Sequence, residues 1–408
     1  MFSITEGRDL ADKFVGAPLQ ISAEELSERR KRFVTRLAGE GMAGAVIFDP
    51  ASVFYFTNFA FIPTERPIAL VMAPDGRSVL LVPRLEREHA EKQAAVGEVR
   101  HYDEYPDAVH PMAHLALILR DLGVGTGPVG ADHDGYISPW GYMGPTLSEA
   151  AGVRVVDCRR LVQEQRMIKS PAEIALIRES ARWGNLAHTL LQQYAKPGAM
   201  ETDVSERASL EATRAMLMTL GQFYRPLRGS GAAAGFRGQV GRNAAIPHAM
   251  TINAVFQEGD ILVSGAGATV GGYDSELERT MFVTRAQAEE RKYFHLMLEV
   301  QDLAFDTIRP GIECADVDRA VRQFYKDHGI EAYWRHHTGH GLGLEGHEAP
   351  FFDIGDHTVI RPGMVFSVEP GIYVDNLGGF RHSDTILVTE NGIERLTYYP
   401  RDLESLIC

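Results

Sequence analysis

His336-His337-Thr338-Gly339-His340-Gly341-Leu342-Gly343-Leu344-Glu345-Gly346-His347-Glu348-Ala349-Pro350 sets imidazoles among glycines, and Gly363-Met364-Val365-Phe366-Ser367-Val368-Glu369-Pro370 follows it closely. The second segment reads as a strand that carries Glu369 toward a core. A buried carboxylate without a partner is costly, so a partner for Glu369 is expected. Two upstream segments share the same character: NAAIPHAM (residues 243–250) with His248, and GGYDSELERT (residues 271–280) with Glu276 and Glu278. Each alone has an ordinary explanation. A loop histidine commonly sits at the surface, and Glu276-Leu277-Glu278 alternates as a strand with one solvent face does. Together they concentrate the chemistry in the second half of the chain.

Outward from these segments, Ser170-Pro171-Ala172-Glu173 is a helix start with Ser at the cap, Pro at the first helical position and Glu three residues after the cap. The helix should run to about Ala195, stopped by Pro197-Gly198. A domain boundary is expected near residue 165, giving an N-terminal domain over 1–165 and a C-terminal catalytic domain over 166–408. PGAMETDV from Pro197 and PGIECADV from Pro310 share P-G-x-x-x-x-D-V, and each opens a new helix, as a duplicated half-domain would. The N-terminal part alternates helices and strands. Ser22 and Glu25 open a helix through Leu37; strand-type runs occupy 45–48, 53–56, 68–72 and 78–82, the last two joined by the turn Ala73-Pro74-Asp75-Gly76. A helix over 112–122 and strands at 128–131 and 153–156 complete an α/β (α+β) pattern.

The chain has 408 residues, 41 Lys+Arg against 55 Asp+Glu, and a formal charge of −14. Hydrophobic residues at 45% and charged residues at 24% exclude global disorder. The acidic balance speaks against nucleic acid or an anionic membrane as partner, since both need a basic footprint. Cys158, Cys314 and Cys408 are too scattered for a disulfide framework or a thiolate zinc site. The opening MFSITEGRDLADKF places charges where a signal peptide needs an apolar core, and no uncharged apolar run reaches 18 residues. A cytoplasmic protein acting on a small-molecule substrate is expected. Gly265-Ala266-Gly267 and Gly229-Ser230-Gly231 do not complete a dinucleotide-binding pattern, and there is no G-x-S-x-G or H-E-x-x-H motif.

The four chemistry-bearing segments together resemble the C-terminal domain of the pita-bread family of methionine aminopeptidase, Xaa-Pro aminopeptidase, prolidase and creatinase. The resemblance covers about residues 166–408, and the preceding part looks like the N-terminal domain of the creatinase and prolidase branch. It implies a two-domain fold whose C-terminal domain has pseudo-twofold halves, and a homodimer. The family's metallopeptidases hold two ions with Asp, Asp, His, Glu and Glu. At the first Asp this chain has Gly265, at the second Glu276, at the His His340, at the first Glu Glu369, and at the last Glu Ser383. Two carboxylates are therefore absent. The resemblance also assigns proton handling to His248 and a second active-site imidazole to His347, with Arg381 in the G-G-x-R strand.

Creatinase keeps this fold without a metal and holds a guanidinium between two glutamates. Leu277-Glu278-Arg279-Thr280 and Glu369-Pro370 match both positions. Arg66-Pro67-Ile68-Ala69-Leu70-Val71 matches a segment whose arginine binds a substrate carboxylate across the dimer interface, so Arg66 is a candidate clamp reaching the partner's active site. Creatinase's second carboxylate-binding arginine has no counterpart in Ala349-Pro350-Phe351-Phe352, and GHGLGLEGHEAP looks more like prolidase.

Three readings follow. The favoured one is a hydrolase of a C–N bond in a small amidine, guanidine or amide, working without cofactor. In it Glu278 and Glu369 hold a cationic group by paired charge-assisted hydrogen bonds, His248 acts as general base and acid, and His340 and His347 stabilise an oxyanion; Arg66, Glu276 and Arg381 bind substrate. The alternative is an Xaa-Pro aminopeptidase or prolidase-type metallopeptidase with one divalent ion (Mn, Co or Zn) on Glu276, His340 and Glu369. The third is a non-catalytic pseudo-peptidase whose site binds a peptide or a partner protein.

Overall fold

The computed structural model describes residues 19–136, 141–227 and 231–408; the opening MFSITEGRDLADKF and residues 229–230 of the Gly229-Ser230-Gly231 stretch lie outside them. The chain forms two compact units that divide between Arg166 and Met167.

In the first unit the helix Ala23–Gly39 starts as its sequence requires, with the Glu25 amide donating to the Ser22 hydroxyl. A six-stranded sheet runs in the spatial order Glu98–Tyr102, Ser78–Pro83, Ala69–Met72, Ala45–Ile47, Val129–Ala131, Val155–Asp157. Its centre is an antiparallel meander, and parallel strands flank it. The segment 53–56, expected as a strand, lies in a helix, Pro50–Thr57. Every residue from Ala51 to Thr57 is buried, so the apolar run carries neither period. The deciding signals precede it. Asp49 caps the helix through the Ser52 amide and hydroxyl, at 2.8 and 2.7 Å, and Pro50 fits the first turn.

The second unit is built on helix pairs packed against an antiparallel sheet. Ser170 and Glu173 close a reciprocal capping box at the start of the helix Pro171–Tyr194. That helix is followed by Pro197-Gly198 and the helix Glu201–Leu220; the helix Ala288–Thr307 is followed by Pro310-Gly311 and the helix Cys314–Asp327. Each proline-glycine ends one long helix and leads to its neighbour. The sheet runs Glu348–Phe352, Gly339–Gly341, Val365–Val368, Ser383–Thr389, Leu277–Phe282, Ile261–Val270, Ala232–Gly235. Gly184 brings the first long helix onto the strand Ile261–Val270, where a Cβ would stand 3.0 Å from the Gly267 Cα. Among the described residues no helix is long and apolar enough to cross a membrane.

Candidate active site

Strand register gathers the site. Gly265 pairs with Glu278, and Glu278 pairs with Ser383, so these three stand in one row across adjacent antiparallel strands. Paired residues share a face. The row therefore points to one side of the sheet, at the two positions where the family resemblance implied ligand carboxylates. A Cβ on Gly265 would lie 3.4 Å from Glu278 Oε1. One carboxylate, on the middle strand, stands between two positions that offer none.

His340 pairs with Ser367, and Ser367 with Thr385, on the neighbouring strands. Glu276 lies just before the strand Leu277–Phe282, where its backbone amide donates to Thr385 Oγ1 at 2.9 Å and its carbonyl accepts from the same hydroxyl at 2.8 Å. That double tie turns Glu276 toward the pocket. Its Oε1 lies 2.7 Å from the hydroxyls of both Ser367 and Ser383, which are themselves 2.6 Å apart. Its Oε2 faces His340 Nε2 at 3.8 Å, and Glu369 Oε1 lies 3.3 Å from the same nitrogen.

These charges shift one another. Burial alone would lower the His340 imidazole, but Glu369 and Glu276 beside it overcome that and raise it to about 9. Burial and the Glu276 charge push the Glu369 carboxyl up to about 7. Burial would raise Glu276 as well; the His340 charge and the two serine hydroxyls outweigh it, and its carboxyl is held below the usual range.

Glu278 belongs to a second network. Arg381, only 2% exposed, donates Nε to Glu278 Oε2 and Nη2 to Oε1 at 2.8 Å. Its Nη1 donates to the Tyr373 hydroxyl at 2.9 Å. Tyr373 in turn lies 2.7 Å from His336 Nε2, while His336 Nδ1 faces the His337 carbonyl at 2.8 Å. The carbonyl accepts only, so Nδ1 carries the proton, Nε2 accepts, and the tyrosine donates to it. Burial and the Arg381 charge lower the His336 imidazole to about 3 and keep it neutral. His336, Tyr373 and Ser367 were absent from the sequence-derived set; His336 sat in a conspicuous run, but Tyr373 and Ser367 carried no pattern of their own.

The remaining predicted residues are placed as follows. His347 is exposed and stacks on His340, with ring centroids 3.6 Å apart. His248 is exposed in the loop after the short 3-10 helix Gly241–Ala245, close enough for its charge to lower both His336 and His347. Arg66 lies in the first unit, where Glu65 and Glu104 take its guanidinium.

The donors fit one divalent ion and not two. His340 Nδ1 lies 3.1 Å from the Gly341 carbonyl and so carries a proton, and Nε2, which faces the two carboxylates, would present a lone pair to a divalent ion once that ion displaced its own proton. That nitrogen is buried and has no aligned hydrogen-bond partner, despite its 3.3 Å approach to Glu369. Glu276, His340 and His347 offer ligand atoms within 4.8 Å of one another, as do Glu276, Glu278 and Glu369. Three protein donors with room for a further ligand is the composition of a catalytic mononuclear site. A second ion would need oxygens that Gly265 lacks, and Glu278 is already occupied by Arg381.

An antiparallel sheet here presents a buried imidazole to converging carboxylates, a donor set suited to a divalent ion. The comparisons carry this to a family: residues 175–390 match metallopeptidase family M24, and residues 29–168 match the creatinase/prolidase N-terminal domain. The chain belongs to family M24 and has its pita-bread fold, as the sequence resemblance implied. It is 26% identical to the Xaa-Pro dipeptidase of Pyrococcus horikoshii over 93% of this chain and 99% of that protein. It is 29% identical to the probable dipeptidase PepE of Mycobacterium tuberculosis H37Rv over 94% and 97%. Among solved structures, the Xaa-Pro dipeptidase from Bacillus anthracis superposes with a TM-score of 0.79 at 26% identity, covering 94% of this chain and 99% of that one. Dipeptidase PepE from Mycobacterium ulcerans gives 0.80 at 27% identity, covering 94% and 98%.

The expectation of a hydrolase acting on C–N bonds holds. The expectation that it works without a cofactor is corrected: a metallopeptidase family encompasses the whole site, and its peptidases normally use divalent ions such as manganese or cobalt. The reason is visible in the second network. Arg381 already fills the carboxylate position reserved for a substrate cation, so Glu278 and Glu369 do not form an open pair for a guanidinium.

Proposed function

We propose that this chain is a metal-dependent peptidase of the Xaa-Pro dipeptidase class that works with one divalent cation on Glu276, His340 and Glu369. The observation that carries the reading is the buried His340 Nε2, which faces two carboxylates and lacks an aligned hydrogen bond. The likeness to two-domain dipeptidases over more than nine-tenths of the chain supports the substrate class.

When bound, a divalent cation there supplies Lewis-acid polarisation of the scissile carbonyl. The chain's own residues do the rest. The Ser367 and Ser383 hydroxyls fix Glu276 by one oxygen and leave the other turned to His340. His347, stacked on His340, stands where it can donate to a developing oxyanion. His248, exposed at the mouth, gives a proton to the departing amine nitrogen. Arg381, neutralised by Glu278, holds that wall of the pocket rigid and keeps its carboxylate from binding metal.

The test is hydrolysis of Xaa-Pro dipeptides by chelator-treated enzyme before and after manganese or cobalt is returned. Activity should vanish on chelation and return with metal. Full activity after exhaustive chelation, or none with metal bound, would overturn the reading.

A further inference from the structure

Arg237 lies outside the donor set just described. It sits in the loop after the strand Ala232–Gly235, and its side chain is 54% exposed while Nη2 lies 3.2 Å from Glu278 Oε1. Glu278 is already matched by the two hydrogen bonds from Arg381, so the second arginine adds a positive charge that this carboxylate does not require. Among the described residues its one side-chain partner is that oxygen, which uses one of the five donors of a guanidinium.

The backbone that presents it is held in a costly shape. Arg237 has φ 52°, a left-handed conformation that side-chain-bearing residues rarely adopt, and Gly238 follows at φ 76°. At Gly238 a Cβ would meet the Met250 carbonyl oxygen at 2.0 Å, so only glycine fits. The buried Glu201 carboxylate accepts from the amides of Gly238 at 2.5 Å and Ala254 at 3.2 Å. Asn243 Nδ2 donates to the Gly238 carbonyl at 2.5 Å. A half-exposed surface arginine needs no such anchoring. Here a pinned turn fixes the direction of a side chain whose fork opens at the rim of the carboxylate cluster.

We infer that Arg237 binds the free carboxylate of the substrate and restricts this enzyme to dipeptides; the inference rests on the peptidase reading above. A guanidinium fork takes a carboxylate through two parallel hydrogen bonds. The geometry sets the length. Glu278 offers an oxygen within 4.8 Å of those of Glu276 and Glu369, where the scissile carbonyl is expected to lie. One further residue advances the chain by about 3.8 Å, which brings a dipeptide's terminal carboxylate to the Arg237 rim. A tripeptide would carry its carboxylate past that point and put an uncharged peptide carbonyl opposite the arginine.

The experiment compares Ala-Pro with Ala-Pro amide on metal-loaded wild type, Arg237→Gln and Arg66→Gln, by steady-state kinetics and by calorimetric binding. For wild type, the acid should have a KM lower than the amide's by about tenfold or more, as expected for a charge-assisted pair. Arg237→Gln should abolish that preference by raising KM for the acid alone, with kcat within about twofold. Equal KM for both forms in wild type, or a preference lost in Arg66→Gln and kept in Arg237→Gln, overturns the inference. If wild type binds the acid in an Arg237-dependent way without cleaving it, the peptidase reading fails and the carboxylate site stands. Binding of neither form overturns both.

Discussion

Replacing Glu278 by alanine isolates the contribution of the Arg381 pair. Arg381 is 2% exposed and makes two of its hydrogen bonds to Glu278, one of them at 2.8 Å. Removing one partner of a buried pair costs about 3–5 kcal/mol, because a charge is left in a poorly solvated site. Two neighbours soften the loss: Glu369 Oε2 lies 3.8 Å from Arg381 Nε, and the Tyr373 hydroxyl still accepts from Nη1. The expected destabilisation of Glu278→Ala is therefore at the lower end, about 3 kcal/mol, read as a fall in the urea midpoint with an unchanged slope. Glu278→Leu combined with Arg381→Met removes both charges and should recover most of it. Arg237→Gln, which removes only the half-exposed cation, should shift stability by less than about 1 kcal/mol. A loss below about 1 kcal/mol for Glu278→Ala, or a double variant no better than the single, would refute the assignment of Glu278 to a structural ion pair.

Three further outcomes are expected. His340→Ala should lose manganese binding in a calorimetric titration, since it removes the buried imidazole that faces both Glu276 and Glu369. Tyr373→Phe takes away an acceptor for Arg381 and a donor for His336, and should cost about 1–2 kcal/mol of stability with metal affinity little changed. His188 is fully buried, 2.8 Å from Ser264 Oγ, and burial followed by the Arg279 charge lowers its imidazole from 6.5 to about 3. A depressed folded-state value means its contribution is complete above about pH 6.5 and is lost as pH falls toward 3. By about pH 5 roughly 2 kcal/mol should be gone. Urea unfolding of His188→Gln at pH 7 and pH 5 checks this: the variant should show a pH dependence smaller by that amount, and an unchanged dependence would contradict the assignment.

Much of this was legible from residue patterns, and what was not has identifiable causes. Ser170-Pro171-Ala172-Glu173 announced its helix because capping is a local interaction among four residues. The 53–56 segment misled because burial on all sides erases the periodicity that separates helix from strand. His340, Glu276 and Glu369 could be named from their segments, and they do converge. That Glu276 faces the pocket depended on its ties to Thr385, more than a hundred residues away. The engagement of Glu278 by Arg381 depended on the strand Gly378–Arg381, and no spacing within one segment reveals such a pairing. Arg237 left no signal except a glycine after it, since a left-handed residue is a property of the folded turn.

The register row Gly265–Glu278–Ser383 bears most directly on the account, because it limits the site to a single ion. Elemental analysis of manganese retained per chain, after loading in excess and dialysis, measures that limit. The account predicts one ion per chain in the wild type and none in His340→Ala. Two ions per chain, or none in the wild type, would contradict it.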